Sequence, residues 1–162
     1  MDQVSKYFNA EKNESILFII AGILALVVAA YFLVKLKQPY YNGFSYALAA
    51  VALIQLTVGA SVYFRSPKDI AMVNEIIKTE KQKIAAEEIP RMNTVMKNFS
   101  LYRRIEIALM ITGLALFLYF KQAEVWKGLG TGVFIQAAIM LVLDFFAESR
   151  GKTYLDFLQK LN

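Results

Sequence analysis

The stretch that decides the fold is SILFIIAGILALVVAAYFLV, residues 15–34, which contains no charged side chain. A helix rises about 1.5 Å per residue, so about 20 apolar residues match the hydrocarbon thickness of a bilayer. Lys35 and Lys37 close the run. A cleaved signal peptide is the competing interpretation, but the acidic Glu11 and Glu14 and the long apolar core argue against it. The sequence therefore predicts a transmembrane helix here.

Three further stretches of the chain are rich in apolar residues, at about 44–64, 101–120 and 126–146. The turn QPYYNG, residues 38–43, joins the first two spans, because proline and an Asn-Gly pair favour a tight reversal. A short polar turn also separates the last two spans. The pattern predicts two transmembrane hairpins.

The third span is the least regular of the four. Its uninterrupted apolar part, 107–120, is too short to cross a bilayer as a helix. The helix must therefore continue back through Arg103, Arg104 and Glu106. Arginine can extend to the lipid headgroups, whereas Glu106 is short and lies close to the apolar boundary.

A polar segment of mixed charge, 67–99, lies between the second and third spans. Apolar residues recur in it at helical spacing: Ile70, Val73, Ile76, Ile77 and Ile84, and then Met92, Val95, Met96 and Phe99. Pro90 separates the two series and is expected to break or kink the helix. The pattern predicts a helical arm. The end of the chain, 152–161, is expected to form an amphipathic helix that lies on the membrane or folds back on the bundle.

The basic residues are distributed unequally between the two sides of this topology. All but four of the 18 Lys and Arg residues fall on the side of the amino terminus; the exceptions are Lys35, Lys37, Lys121 and Lys127. In membrane proteins the cytoplasmic segments carry the excess of positive charge. We therefore expect a protein of the bacterial inner membrane with both termini and the arm on the cytoplasmic side. The predicted fold is thus an all-α, integral membrane four-helix bundle forming a single domain, 1–162.

The composition limits the chemistry of the chain. It has no cysteine and no histidine, which excludes disulfides, thiol nucleophiles and histidine-based acid–base catalysis. No phosphate-binding glycine loop and no nucleophile–base pair is visible, so we do not expect an enzyme. The chain has a net charge of +5, and most of its charged residues lie beside the apolar spans. Membrane lipid is therefore the expected partner, and nucleic acid is not.

One face of the fourth span carries small residues at one end and polar residues at the other. The series at intervals of four is Gly128, Gly132, Gln136, Met140, Asp144 and Glu148. Its glycines predict close helix packing, and the polar end predicts either more packing or the wall of a hydrated path. Further small-residue packing positions are Ala21, Ala25 and Ala29 in the first span and Gly59 in the second.

Acidic and basic residues gather at the cytoplasmic ends of the spans. The acids are Glu106, Asp144 and Glu148, and the arginines are Arg65, Arg103, Arg104 and Arg150. Three interpretations remain open: an ion path, a site for a divalent cation such as Mg²⁺ held by the three acids, or a collar of salt bridges.

The sequence supports three functional hypotheses. In the first, a homo-oligomeric transporter or channel conducts a cation or small solute through a cytoplasm-facing polar path. In the second, the chain is a scaffold or interaction subunit whose cytoplasmic helices dock a protein partner. In the third, it is a Mg-dependent lipid-modifying enzyme, for which no cofactor other than the divalent cation is expected.

Overall fold

The computed structural model describes residues 2–79 and 82–161, and this part of the chain is almost entirely helical. It contains four long helices: α1 (Asp2–Tyr31), α2 (Pro39–Thr79), α3 (Ile89–Tyr119) and α4 (Glu124–Leu161). A π-helical turn, Phe32–Leu36, follows α1, and a second, Ile84–Glu88, precedes α3. The all-α prediction is confirmed.

Three of the helices are long and apolar enough to cross a membrane. They are α1 with its π-helical turn, α2 and α4. The apolar part of α3 is interrupted near its start by Arg103, Arg104 and Glu106.

The helices are arranged in a row in the order α1, α2, α4, α3. Helix α2 packs along both α1 and α4, and α3 packs along α4 on the opposite flank from α1. The two predicted hairpins are therefore present, and they join through α2 and α4.

Glycines allow the close approach between helices in this row. A Cβ atom on Gly128 of α4 would overlap the carbonyl oxygen of Tyr40 in α2. A Cβ atom on Gly113 of α3 would lie 2.6 Å from the carbonyl oxygen of Gly130 in α4. No larger residue fits such contacts without separating the backbones, which is how small residues specify helix pairing in membranes. The other glycines in close helix contacts include Gly22, Gly43, Gly59 and Gly132.

One end of the molecule has a compact core, and we call this end the head: residues 2–14, 66–79, 82–99 and 148–161. Its buried apolar cluster draws on all four helices and consists of Val4, Tyr7, Phe8, Val73, Ile76, Ile84, Met92, Tyr154 and Leu158. The head contains both ends of the described chain, together with the end of α2 and the start of α3.

The structure differs from the prediction of a separate arm and a separate terminal helix. Helix α2 continues through Pro67 to Thr79, and α4 continues to Leu161. A proline inside a helix costs about 3 kcal/mol. Here the buried Val73 and Ile76 beyond it bind the second half of α2 into the head. Pro90 lies at the start of α3, where its missing N–H is harmless.

The rest of the molecule exposes a wide apolar belt. Large exposed hydrophobic side chains occur along all four helices, in ranges 16–34, 46–64, 101–119 and 125–146. In the described part of the head, only Met72 and Leu161 are comparably exposed. So large an apolar surface requires a lipid or protein neighbour.

Candidate functional site

The charged residues singled out in the sequence meet where the head joins the apolar belt. Arg65 binds Asp69 one turn further along α2, with 2.9 Å between nitrogen and oxygen, and lies 4.0 Å from Glu11 of α1. Arg150 of α4 pairs with Glu14 of α1. These two arginines therefore act as structural ties between helices, as the collar interpretation requires.

Glu148 belongs to the same set of ion pairs. Its carboxylate accepts a hydrogen bond of 2.7 Å from Nη1 of Arg103, and Nζ of Lys152 lies 3.0 Å from its other oxygen. The Arg103 contact joins α3 to α4. Arg104, its neighbour in the chain, is exposed and is not part of this group.

Glu106 has different surroundings. Its side chain is only 3% exposed, and in the described part of the structure no amide, hydroxyl or basic group donates a hydrogen bond to its carboxyl oxygens. The carboxyl of Asp144 faces it across the α3–α4 contact, and Glu148 lies beyond Asp144. Within residues 2–79 and 82–161, neither Glu106 nor Asp144 forms an ion pair of the kind that occupies Glu148.

Two facing carboxyls without a basic partner are a chemically unstable arrangement when both are ionised. Burying an unpaired carboxylate costs several kcal/mol, roughly, and a second negative charge nearby adds to that cost. The arrangement is relieved when the two carboxyls share a proton or hold a cation between them. Buried acids that lack a basic partner are candidates for function for the same reason.

The polar side chain of Gln136 lies deeper in the belt and is buried. Nε2 of Gln55 in α2 donates a hydrogen bond of 3.4 Å to its side-chain oxygen. The side-chain oxygen of Gln55 is itself buried without a partner among the described residues. Gln136 thus joins α2 to α4, two helical turns from Asp144 along α4.

A groove of about 400 Å³ opens on the outer face of α3 and α4 beside this site. Asp144, Arg103 and Glu148 line it together with apolar side chains that include Ile107, Val142 and Phe145. Asp144 therefore connects the groove to the buried Glu106.

The predicted three-carboxylate metal site is not assembled. Within residues 2–79 and 82–161, no group of three acidic side chains converges in a way that could hold a metal ion. The reason is that Glu148 is turned to Arg103 and Lys152, which leaves two carboxyls rather than three.

A second polar network, inside the head, was missed by reasoning from the sequence. Glu88 is 2% exposed and accepts two hydrogen bonds of 2.7 Å from Arg91 and one of 3.0 Å from the hydroxyl of Tyr154. Burial raises the pKa of Tyr154, and the charge of Glu88 raises it further. The spacing of Glu88 and Arg91 along the chain was the available signal, but such pairs are common on solvated helices.

The ring of Tyr7 extends this network to α1. It stacks on the ring of Tyr154 with 4.3 Å between centroids, and its hydroxyl donates a hydrogen bond of 2.6 Å to Glu11. Burial and the charge of Glu11 raise the pKa of Tyr7. The network therefore holds α1, α4 and the start of α3 together in the head.

Comparisons of the chain with protein-family models, curated proteins and solved structures found no match.

Proposed function

We propose that the chain is an integral membrane protein in which all four helices, α3 included, cross the bilayer. The exposed apolar belt extends over α3 at 101–119, as it does over the other helices. Glu106, the acid that interrupts the apolar sequence of α3, is buried against α4 and so does not face lipid. The head carries most of the basic residues, which favours a cytoplasmic head with both termini in the cytoplasm.

The function we propose is the binding of a proton or a small cation at Glu106 and Asp144, as the site of a transporter or channel. The observation that carries this proposal is the buried carboxyl of Glu106, which faces the carboxyl of Asp144 and has no basic partner among the described residues. Of the charged residues at this level, Glu148, Arg65 and Arg150 are already paired with basic or acidic neighbours. A collar of salt bridges therefore explains those three residues but not the acid pair.

Access to the pair is proposed from the cytoplasmic side, through the groove that Asp144 lines. On the other side of the pair, the next buried polar side chains that the structure describes between α2 and α4 are Gln55 and Gln136, two helical turns from Asp144. Beyond them the α2–α4 contact is closed by Gly128 and Gly132. A complete path across the membrane therefore requires a second copy of the chain or a movement between the hairpins, which fits the expectation of a homo-oligomer.

The test is flux through purified protein in proteoliposomes. We expect flux of protons or of a monovalent cation, and we expect Glu106→Gln and Asp144→Asn to abolish it while the protein remains folded. Glu14→Gln is the matched control, because it changes a carboxylate near the same junction that is already paired, with Arg150, and that does not line the groove. Flux that survives both changes at the acid pair, or that is lost equally in the control, contradicts the proposal.

Protonation of the pair can be measured separately. Infrared spectroscopy detects the carbonyl band of a protonated carboxyl, and we expect that band in the purified protein and its loss in Glu106→Gln. A chain that binds a metal cation instead loses the band when that cation is added.

The second candidate function is an interaction subunit, and the same acid pair is the observation that favours it. A basic side chain from a partner's transmembrane helix would neutralise Glu106 and Asp144 as effectively as a cation. In that case, the purified chain conducts nothing, and Glu106→Gln removes a co-purifying membrane partner.

A further inference from the structure

Two basic side chains lie on the side of α3 that faces away from α4. Residues of a helix are about 100° apart around its axis, so Arg104, two residues before the buried Glu106, lies on the opposite side of α3 from it. Lys97, nine residues before Glu106, lies on the same side as Arg104. Both basic side chains are exposed, and within residues 2–79 and 82–161 neither forms an ion pair. The described part of the protein therefore leaves these two positive charges without a counterion.

The sequence around these two residues contains no acid that could neutralise them. From 89 to 105 the chain has several basic residues and no Asp or Glu. The other two basic residues of this stretch are already paired, Arg91 with Glu88 and Arg103 with Glu148. An exposed surface that carries positive charge alone attracts anions.

The same side of α3 continues into the apolar belt. Leu101, Ile105 and Ala108 are exposed there. Lys97 lies in the head and Arg104 lies where the head joins the belt, so the apolar residues follow directly after the charges. We call this surface the α3 edge, and it consists of Lys97, Leu101, Arg104, Ile105 and Ala108. A helix surface with this order of residues is suited to the level at which lipid headgroups meet acyl chains.

The opposite edge of the row, which α1 forms, has different charges at this level. Helix α1 carries Glu11 and Glu14 there as well as Lys12. Each of the two acids pairs with an arginine, and Nζ of Lys12 lies 4.7 Å from the centre of the Tyr63 ring. The α1 side therefore has no excess of positive charge, and an anion at the membrane surface is attracted to the α3 edge in preference.

We propose that the α3 edge binds an anionic phospholipid, one whose headgroup has a phosphodiester and no cationic group, as in phosphatidylglycerol. Lys97 and Arg104 are about 10 Å apart along the helix, and both side chains are long enough for their charged ends to approach one phosphate. An acyl chain of the lipid lies along Ile105 and Ala108. An acidic protein segment matches the charges but not the apolar residues that follow them into the belt.

This inference rests on the proposed crossing of the membrane by α3, and it is independent of cation binding. The acid pair lies on the other side of α3, against α4. A chain that conducts no cation still retains the lipid, and a chain that retains no particular lipid still binds a cation at the acid pair.

The experiment uses the purified full-length chain, equilibrated with vesicles that contain equal amounts of phosphatidylglycerol, phosphatidylethanolamine and phosphatidylcholine. The lipid that stays on the chain after transfer to detergent is identified by native mass spectrometry. We expect phosphatidylglycerol to be retained in preference to the other two lipids. Lys97→Gln and Arg104→Gln are each expected to weaken its retention about fivefold, the usual contribution of one basic residue near an anionic membrane surface.

Lys78→Gln is the matched control, because it removes the same charge from an exposed position at the end of α2, outside the α3 edge. Substitution of Lys97 or Arg104 breaks no ion pair among the described residues, so the unfolding midpoint is expected to stay the same. Retention that is unchanged when both residues are replaced, or that falls equally in Lys78→Gln, overturns the proposal. Equal retention of the three lipids also overturns it, as does an acidic protein that co-purifies with the chain and is lost in Arg104→Gln while the retained lipid does not change.

Discussion

At the scale of single residues, Glu88 and Glu106 are two carboxyls that are buried to almost the same extent among different neighbours. Glu88 is 2% exposed and binds Arg91 and Tyr154. Glu106 is 3% exposed and faces the carboxyl of Asp144, with no basic partner among the described residues. A buried carboxylate that is fully paired contributes to a fixed structure, whereas an unpaired one destabilises the fold unless a proton or cation neutralises it.

This contrast predicts opposite effects of the same substitution. Glu88→Gln leaves the half-buried Arg91 without its charged partner and is expected to cost about 1–3 kcal/mol of unfolding free energy. Glu106→Gln removes an unpaired acid and is expected to change stability little or to increase it. Chemical unfolding of the two purified variants in the same detergent checks the prediction, and a larger loss in Glu106→Gln contradicts it.

The buried carboxyl of Glu11 leads us to expect that the folding stability of the head depends on pH. Burial raises the pKa of its carboxyl, against the hydrogen bond from Tyr7 and the charge of Arg65. The folded state therefore binds a proton at Glu11 more tightly than the unfolded chain does. The stabilisation that this proton provides is complete below the ordinary glutamate pKa of about 4.3, and it is lost as the pH rises through the raised pKa.

We therefore expect acidification from about pH 7 to stabilise the wild-type chain more than Glu11→Gln, which has no carboxyl to protonate at this position. The measurement is the difference in unfolding midpoint between the two proteins at several pH values. A difference that stays constant with pH shows that Glu11 does not titrate in this way.

At the scale of the elements, backbone contacts set the order of the helices. Helices α2 and α4 meet at Gly43 and Gly128 with no space for a side chain, and α3 meets α4 at Gly113 and Gly130. The head then fixes the same pairs at the other end through its shared core. The neighbouring helices in the row are therefore held together near both ends of their length.

Gly128→Ala is expected to force α2 away from α4, because the added Cβ would overlap the backbone at Tyr40. Overpacking of this kind costs about 1–3 kcal/mol. Gly151→Ala is the matched control in the same helix, since its Cβ would lie 3.1 Å from the flexible side chain of Met96. Unfolding measurements on both variants check this, and equal stability of the two contradicts the close contact.

At the scale of the whole molecule, the polar head and the apolar belt divide the chain into parts suited to two solvents. The head buries its apolar side chains, and the belt exposes them on every helix. On the proposal that all four helices cross the bilayer, the turn between α3 and α4 lies on the opposite side of the membrane from the head.

The chain has no cysteine, so single introduced cysteines report topology cleanly. Gln122→Cys, at the exposed turn after α3, is expected to react with a membrane-impermeant thiol reagent added outside intact cells. Asn98→Cys, in the head, is expected to react only after the membrane is opened. Labelling of both positions from the same side means that α3 does not cross.

The helical class, the two hairpins and the junction where the charges gather were predictable from the sequence, because apolar length and helical periodicity are local properties of the chain. The long continuous helices were not. The second apolar span ends near residue 64 in the sequence, and only the packing of Val73 and Ile76 into the head explains why α2 continues through Pro67 to Thr79. The series of small and polar residues at 128–148 was visible in the sequence. The contacts that make some of these residues packing positions and others ion-pair partners were not.

By itself, then, the sequence determined which segments are apolar, which are amphipathic and which side carries the positive charge, since each depends on composition over a few turns. The tertiary structure decided the order of the helices in the row and the partners of the charged residues. Those depend on which helices pack together, and α3 lies beside α4 because of contacts such as Gly113 with Gly130. That packing turns Glu148 toward Arg103 and leaves Glu106 facing Asp144, which separates the structural ion pairs from the candidate site.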